Sequence, residues 1–295
     1  MAGMREIKLR IKGVKETRQI TKAMKLIAAS KLKKAKQQLD QTRPFFKKVK
    51  ETIADVLSHS ANIESPYFDL RHEKATRKKA YLVISGDKTL AGGYNHNLLK
   101  FAEAQMNGDK ESLLFVAGQI GRNYFVRGKF NVCKDFIYPV QNVTVYRARE
   151  IAEVLLKHFA KGDIDEIDLI YTKVKSSISL EPSIIKLLPL DIEGLKNEGN
   201  DVDIKEINLD ENIMYEPTPE AVLEVLIPKY IKGIVYGAMV EGFTSEQSAR
   251  MTAMDNATTN ADEMLQKLNL YYNRARQAMI TQEISEIVSG AEALK

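Results

Sequence analysis

One turn, Ser85 to Asn95 (SGDKTLAGGYN), holds the residues best suited to chemistry, because it joins glycines to a lysine after a predicted strand. Glycine-rich turns at such a position bind phosphate when they follow the GxGxxG pattern or the Gly-Lys-Ser/Thr order. This turn follows neither, so it indicates phosphate binding only weakly. Gly92 and Gly93 instead favour a tight strand-to-helix turn in which Tyr94 or Asn95 begins the helix. The turn therefore predicts structure rather than a nucleotide site.

Other catalytic and metal-binding patterns are missing from the sequence. It contains no GxSxG or HExxH motif, and no pair of carboxylates stands apart from ordinary helix charge. The single cysteine, Cys133, cannot form an internal disulfide and is most simply a small buried residue. No histidine combines with it at metal-ligand spacing. We therefore expect no catalytic site, cofactor or metal in this chain alone.

The elements that would position this turn lie in residues 77–190. Short apolar runs bounded by Gly, Asp or Pro alternate there with segments of helical periodicity. Such alternation predicts a small Rossmann-like α/β domain with a mostly parallel sheet. The predicted strands are Ala80 to Ile84, Leu113 to Ala117, Asn131 to Ile137 and Ile167 to Val174, with Ser179 to Leu188 as an edge strand. The predicted helices are Asn95 to Met106, Gly121 to Arg127 and Thr144 to Ala160.

Long helical patterns occupy both ends of the chain. From Met4 to Leu39 apolar residues recur every three or four positions, and the pattern continues past Pro44 to Leu57. Thr244 to Ser289 has no Gly and no Pro and would form a helix of roughly 70 Å. Two such narrow apolar stripes most simply bury each other. We predict a long antiparallel coiled coil of residues 1–60 and 220–295, with an acidic connection at 191–219 after the α/β domain.

Charge is distributed unevenly, although the formal net charge is only +5. Residues 1–50 hold sixteen Lys or Arg against three Asp or Glu, a local charge of about +13. Residues 190–224 hold eleven acids against two lysines. A basic helix binds either nucleic acid or an acidic protein surface, and the charges alone leave both open. No run of eighteen apolar residues occurs, so we expect no segment to cross a bilayer.

Three motifs of the sequence are distinctive enough to compare with known protein families. The first is Ile7 to Lys36 (IKLRIKGVKETRQITKAMKLIAASKLKKAK), and the second is the turn Gly86 to Asn95 (GDKTLAGGYN). The third pairs Ser248 to Leu265 (SARMTAMDNATTNADEML) with Tyr272 to Leu294 (YNRARQAMITQEISEIVSGAEAL). Together these motifs resemble the gamma subunit of F-type ATP synthases. The terminal motifs are long and specific, and the resemblance covers the whole layout of the chain. The middle domain and the acidic connection match only in outline.

The resemblance implies a non-catalytic rotor that couples ion translocation to ATP synthesis or hydrolysis. In that family the terminal helices form an asymmetric shaft inside a ring of three alpha and three beta subunits. The α/β domain lies at the foot, near the membrane-embedded ring of c subunits, and an epsilon subunit is a further partner. The implied location is the cytoplasmic face of a bacterial cell membrane, with the chain peripheral to it. No presequence precedes the first helix, which favours a bacterial over a mitochondrial origin.

A basic coiled coil that binds nucleic acid is the alternative. It would account for the charge of residues 1–50 without any partner subunit. Against it, residues 1–44 contain no aromatic side chain on which bases could stack. The family resemblance also argues for protein partners and against nucleic acid.

The shaft-to-head contacts of the family match three sets of residues here. The set that faces an acidic lever of the beta subunits is Lys22, Met24 and Lys25 on the first helix and Arg250 on the second. The set that hydrogen-bonds to beta-subunit loops is Arg276, Gln277, Thr281 and Glu283. The apolar set would project beyond the shorter partner helix into a sleeve of other subunits and consists of Ile280, Ile284, Ile287 and Val288, with Ala291.

The sequence departs from the family at two places. Gly86 stands where the family commonly has Ser, and Thr89 stands where it has the first Gly of the turn. If position 89 requires a positive φ, Thr89 would be strained. The Ser-Glu-His of the family ends in Gln247 here, which exchanges an imidazole for an amide. Neither departure touches the predicted shaft contacts.

Overall fold

The computed structural model describes residues 4–60, 63, 65–68, 77–175, 179–192, 195 and 215–292. The chain divides into two compact units. One unit consists of Lys31–Ala249, and the other combines Met1–Ser30 with Arg250–Lys295. Most of the acidic connection predicted at 191–219 lies outside the described residues.

The unit Lys31–Ala249 is built around a four-stranded sheet. Its strands are β1 (Lys79–Ile84), β2 (Leu113–Ala117), β3 (Glu166–Val174) and β4 (Leu180–Leu188). They lie in the order β2-β1-β3-β4, with β1 parallel to both β2 and β3 and with β4 antiparallel to β3. The predicted mostly parallel sheet and its edge strand are thus confirmed.

Helices cover both faces of this sheet. They are α2 (Tyr94–Gln105), α3 (Gln119–Arg127) and α4 (Val145–Ala160), close to their predicted bounds. Thr144 caps α4 by accepting a hydrogen bond from the Arg147 amide at 3.2 Å. Because strand side chains alternate, Tyr81 and Val83 pack toward α2 and α3, whereas Leu82 and Ile84 belong to the opposite core with α4.

One predicted strand, Asn131 to Ile137, is wrong. None of the described strands includes this segment, which lies beside β2 between the isolated bridges Leu114–Val132 and Ala117–Tyr138. The Arg122 guanidinium donates hydrogen bonds to the carbonyl oxygens of Cys133, Lys134 and Phe136. A side chain therefore satisfies carbonyl groups that a continuous ladder would otherwise have satisfied.

Each of the two terminal helices is longer than any other described helix or strand. α1 spans Met4–His59 and α5 spans Pro219–Glu292, and each continues through an internal proline, Pro44 and Pro228. Among the described residues, none of the helices is long and apolar enough to cross a membrane. The predicted helical ends are confirmed as helices wherever the structure describes them.

Within the unit Lys31–Ala249, the second half of α1 packs on the first half of α5. Ile53 and Val56 of α1 and Ile227 and Ile231 of α5 are fully buried in the same core as the sheet. Phe46 lies directly on the backbone at Gly233, and its ring is 6.1 Å from that of Tyr236. A glycine at this position permits the close approach of the two helices.

Buried hydrogen bonds attach α2 and β3 to α5. The Tyr94 hydroxyl donates to the Gly242 carbonyl at 3.0 Å, and the Ser245 hydroxyl donates to the Thr172 carbonyl at 3.0 Å. These bonds lie beside a run of buried polar residues in α5, Thr244 to Ser248. Because both bonds are shielded from water, they hold α5 to α2 and β3 more firmly than exposed ones would.

Candidate interaction surface on the terminal helices

In the unit of residues 1–30 and 250–295, three polar pairs join α1 to α5 on successive turns. Arg18 pairs with Asp262 at 2.5 Å, the hydroxyls of Thr21 and Thr258 lie 2.8 Å apart, and Lys25 pairs with Asp255 at 2.6 Å. As the number rises on α1 it falls on α5, so the two segments run antiparallel. Apolar residues are buried beside these pairs: Ala28, Met254, Ala261, Leu265 and Leu268.

The register of these pairs shows how far α1 covers α5. The two residue numbers of each pair add to 279 or 280. Met4, the first described residue of α1, would therefore lie opposite residue 276, to within about one helical turn. Every residue from Arg276 to Glu292 is exposed. In the part of the chain that the structure describes, nothing covers this end of α5.

The predicted apolar residues lie on that uncovered end. Ile284 is 57% exposed and Ile287 is 71% exposed, and Ile280 and Val288 are also exposed. Their spacing of three and four residues places them along one side of the helix. An exposed apolar stripe is typical of protein–protein interaction surfaces.

The predicted polar residues accompany this stripe. Arg276, Gln277, Thr281 and Glu283 are all exposed. The Thr281 hydroxyl donates to the Gln277 carbonyl within the helix at 2.9 Å. The structure thus brings all eight predicted residues between Arg276 and Val288 onto one uncovered helix end. Their contacts with another subunit stay a prediction.

The residues predicted to face an acidic lever differ in their surroundings. Lys22 is exposed and Met24 is half-buried, but the Lys25 ammonium already pairs with Asp255. Arg250 is only 8% exposed. Of the three basic side chains, Lys22 therefore presents its charge most openly. Contacts of these four residues with a partner are likewise predictions.

Sequence reasoning missed an exposed apolar row on α1 next to Lys22. Ile20, Leu26 and Ile27 are each more than half exposed. The signal was available, because Ile20 and Ile27 lie seven residues apart and one position before the buried Thr21 and Ala28. On α5, Leu270 and Tyr271 are exposed in the same way.

The turn after β1 is held by the chain itself. The Asp87 carboxylate accepts hydrogen bonds from the Gln119 amide at 2.9 Å and the Val140 amide at 2.7 Å. It thereby occupies the amino end of α3, where a phosphate would bind in other α/β proteins. In this turn Leu90 (φ 63°) and Gly92 (φ 55°) have positive φ angles. The strain expected at Thr89 therefore falls on the next residue, Leu90.

Electrostatics around the sheet are shaped by burial and by a cluster of cations. Burial raises the pKa of Glu241, whose carboxylate accepts a long bond of 3.4 Å from the Val174 amide. Burial also opposes ionisation of Glu166, but hydrogen bonds from Arg77 and Lys186 lower the pKa of that carboxyl overall. Among the described residues no cluster of His, Cys, Asp and Glu could hold a metal ion.

The structure combines two long terminal helices that pair antiparallel, an α/β unit between them in the sequence, and an uncovered apolar helix end. These features define a subunit of a larger assembly. Comparisons with known proteins give that class a family. A family model described as ATP synthase matches residues 3–294. The ATP synthase gamma chain of Ruminiclostridium cellulolyticum is 62% identical over 293 residues, which are 99% of each chain. This chain belongs to the ATP synthase gamma-chain family.

Solved structures show the same fold. A chain from the cryo-EM structure of the central stalk and c-ring of the Tetrahymena thermophila mitochondrial ATP synthase aligns with a TM-score of 0.58 and 26% identity. That alignment covers 81% of this chain and 99% of the other. A chain of the Euglena gracilis mitochondrial ATP synthase aligns with a TM-score of 0.66 and 18% identity over 99% of this chain and 94% of that one. The nucleic-acid alternative finds no support among these matches.

Proposed function

We propose that this chain is the non-catalytic central-stalk rotor of an F-type ATP synthase. Its terminal helices would form an antiparallel coiled-coil shaft, and rotation of that shaft would couple ion flow through a c-ring to ATP synthesis or hydrolysis in other subunits. The observation that carries the proposal is the exposed end of α5, Arg276 to Glu292, with its apolar stripe. A self-contained protein has no reason to expose such a stripe.

The proposed occupants of this stripe are the alpha and beta subunits, three of each. A sleeve around Ile280, Ile284, Ile287 and Val288 would cover their apolar surface on all sides while letting the helix turn. Arg276, Gln277, Thr281 and Glu283 would form polar contacts that break and re-form with rotation, and Lys22, Met24, Lys25 and Arg250 would meet the acidic lever lower on the shaft. An epsilon subunit and the c-ring complete the partners at the cytoplasmic face of the membrane.

A rotor must transmit torque between its foot and its shaft. The buried bonds from Tyr94 of α2 to Gly242 and from Ser245 to Thr172 of β3 attach the α/β unit to α5, which suits this requirement. The close packing of Phe46 on Gly233 likewise joins α1 to α5 in the same unit. These contacts support a foot that moves together with the helix it holds.

Two substitutions on α5 test the proposal. Val288 and Val225 are the same residue type on one helix, exposed by 57% and 55%. We expect Val288→Asp to weaken assembly with alpha and beta subunits at least tenfold, because it places a charge where the sleeve would be apolar. Val225→Asp serves as the control and should leave assembly unchanged. Reconstitution of the complex followed by native mass spectrometry measures both.

The circular dichroism spectrum of each variant should match that of the parent, since neither side chain is buried. Equal assembly of the Val288 and Val225 variants would contradict the proposed role of the helix end. Binding of the unaltered chain to duplex DNA, falling steeply with salt, would favour the nucleic-acid alternative instead.

A further inference from the structure

Both hydroxyl protons of the cross-helix pair Thr21 and Thr258 donate hydrogen bonds. One hydroxyl donates across to the other at 2.8 Å. The remaining proton goes to a carbonyl of its own helix, either Arg18 from Thr21 at 3.0 Å or Met254 from Thr258 at 2.7 Å. The Thr21 side chain lies in the buried stripe, where Thr21 is 7% exposed and Ala28 is 1% exposed. The pair is therefore a satisfied, partly buried polar contact that lies between two ion pairs and beside the apolar residues of the interface.

Apolar packing alone specifies the register of this interface weakly. The buried residues beside the pair include Ala28 and Ala261, whose small side chains fit a displaced partner almost as well. In helix pairs, a buried polar contact is what most reliably selects one register among several. The question is which of the three polar pairs selects it here.

The flanking ion pairs cannot reject a slip of three residues. If the number sum fell from about 280 to about 277, roughly one helical turn, Asp262 would face Lys15 and Asp255 would face Lys22. Both ion pairs would re-form with other lysines of the basic α1. In that register Thr258 would face Arg18, three residues before Thr21, so only the hydroxyl pair would be lost.

The ion pairs reject a different slip. With a displacement of four residues Thr258 would face Thr17, and a hydroxyl pair could re-form. Asp262 would then face Val14 and lose its cation. The hydroxyl pair and the ion pairs thus exclude different alternatives, and only the observed register satisfies all three.

We propose that the Thr21–Thr258 hydrogen bond fixes the register of α1 against α5, which makes both threonines positioning residues for coupling. The coupling role rests on the proposed rotor function, whereas the register role does not. A slip by one turn would move Lys22 and Met24 along the shaft relative to Arg250, and the helices would present a different combined surface to each beta subunit. Coupling would suffer without any change at a catalytic site.

Disulfide trapping in the assembled complex tests the register. In a Cys133→Ser background, Val14→Cys with Leu265→Cys reports the observed register, because their numbers add to 279. Ile11→Cys with Leu265→Cys reports the slip of three residues. Each reporter pair is combined with either the parent threonines or Thr21→Val with Thr258→Val, and the disulfide yield after oxidation is measured by non-reducing electrophoresis.

With both threonines present, we expect only the Val14–Leu265 reporter to cross-link. In the double valine variant, the Ile11–Leu265 reporter should rise at least fivefold, and ions pumped per ATP hydrolysed should fall. Thr17→Val is the matched control, since the Thr17 hydroxyl bonds only to the Gly13 carbonyl of its own helix in the described contacts. This control should change neither measurement.

The outcomes separate the two roles. If the Ile11–Leu265 reporter stays silent in the double valine variant, the threonines do not set the register and the inference is overturned. A register change without a change in coupling would overturn the positioning role. Failure of the rotor proposal itself would instead appear in the Val288→Asp assembly experiment, which does not involve these threonines.

Discussion

Single residues decide how closely the two long helices approach within the unit Lys31–Ala249. A Cβ atom at Gly233 would meet the Phe46 ring far inside van der Waals contact, whereas a Cβ at Gly237, one turn further, would meet nothing within 4 Å. Both glycines lie inside α5. The same substitution at the two sites therefore separates packing from helix propensity.

We expect Gly233→Ala to destabilise the protein by about 1–3 kcal/mol, because Phe46 must move out of a well-packed site. Gly237→Ala should stabilise it by about 0.5–1 kcal/mol, because alanine favours a helix more than glycine does. Urea denaturation followed by circular dichroism measures both. Equal effects of the two substitutions would show that Phe46 does not pack on Gly233 as described.

At the scale of elements, the carboxyl end of β3 meets α5 through a half-buried carboxylate. Burial raises the pKa of Glu241, and the Val174 amide and Lys173 only partly oppose this. A carboxyl group with a folded-state pKa above its unfolded value binds protons more readily in the folded state. Stability from this group therefore rises as the pH falls through the window between the two values, and the ionised form is unfavourable at neutral pH.

Glu241→Gln should accordingly raise the thermal midpoint at pH 7 and remove this part of the pH dependence. Glu166→Gln is the contrasting variant, because the net pKa of Glu166 is lowered. Its contribution is present above the unfolded pKa and is lost as the pH falls through the folded one, so the substitution should destabilise at pH 7. Calorimetry from pH 4 to 8 measures both. A lower midpoint for Glu241→Gln at pH 7 would contradict this assignment.

The elements themselves could be predicted well where local pattern decides structure. The apolar runs of β1 and β2 and the periodicity of α4 coincide with the observed elements. Asn131 to Ile137 could not be predicted, because its apolar content resembles a strand while its carbonyl groups bond to Arg122 from another element. Such a long-range contact leaves no local trace in the sequence.

The residues of the interaction surface were predictable only in part. Exposure of Ile284 and Ile287 follows from the lengths of two patterns, which place the end of α5 beyond the start of α1. Burial of Arg250 and the pairing of Lys25 with Asp255 depend on the rotation of one helix against the other. The sequence carries no measure of that rotation, so four residues grouped together by family resemblance differ in their surroundings.

At the scale of the whole molecule, segments of the chain differ widely in how far other parts of the chain bury their side chains. Residues Met254 to Leu268 contribute buried side chains to the helix pair, whereas Arg276 to Glu292 contribute none. A helix segment without tertiary packing has only its backbone propensity to hold it, which is marginal at this length. Opening of backbone hydrogen bonds should follow this division.

In the isolated chain, we expect the amides of residues 276–292 to exchange with deuterium at least a hundredfold faster than those of 254–268. On assembly with alpha and beta subunits, the exchange of residues 276–292 should slow by a similar factor. Hydrogen-exchange mass spectrometry of the free and assembled chain measures this. Full protection of residues 276–292 in the free chain would show that the helix end is covered without partners.

The exposed apolar stripe also affects the behaviour of the chain before assembly. Ile284, Ile287 and Val288 can adhere to the same stripe on a second newly made copy, since nothing in the described chain shields them. The hazard grows with the concentration of unassembled copies, so overproduction of this subunit alone favours self-association. Balanced synthesis of the subunits that we propose to enclose the stripe would keep it covered and the copies apart.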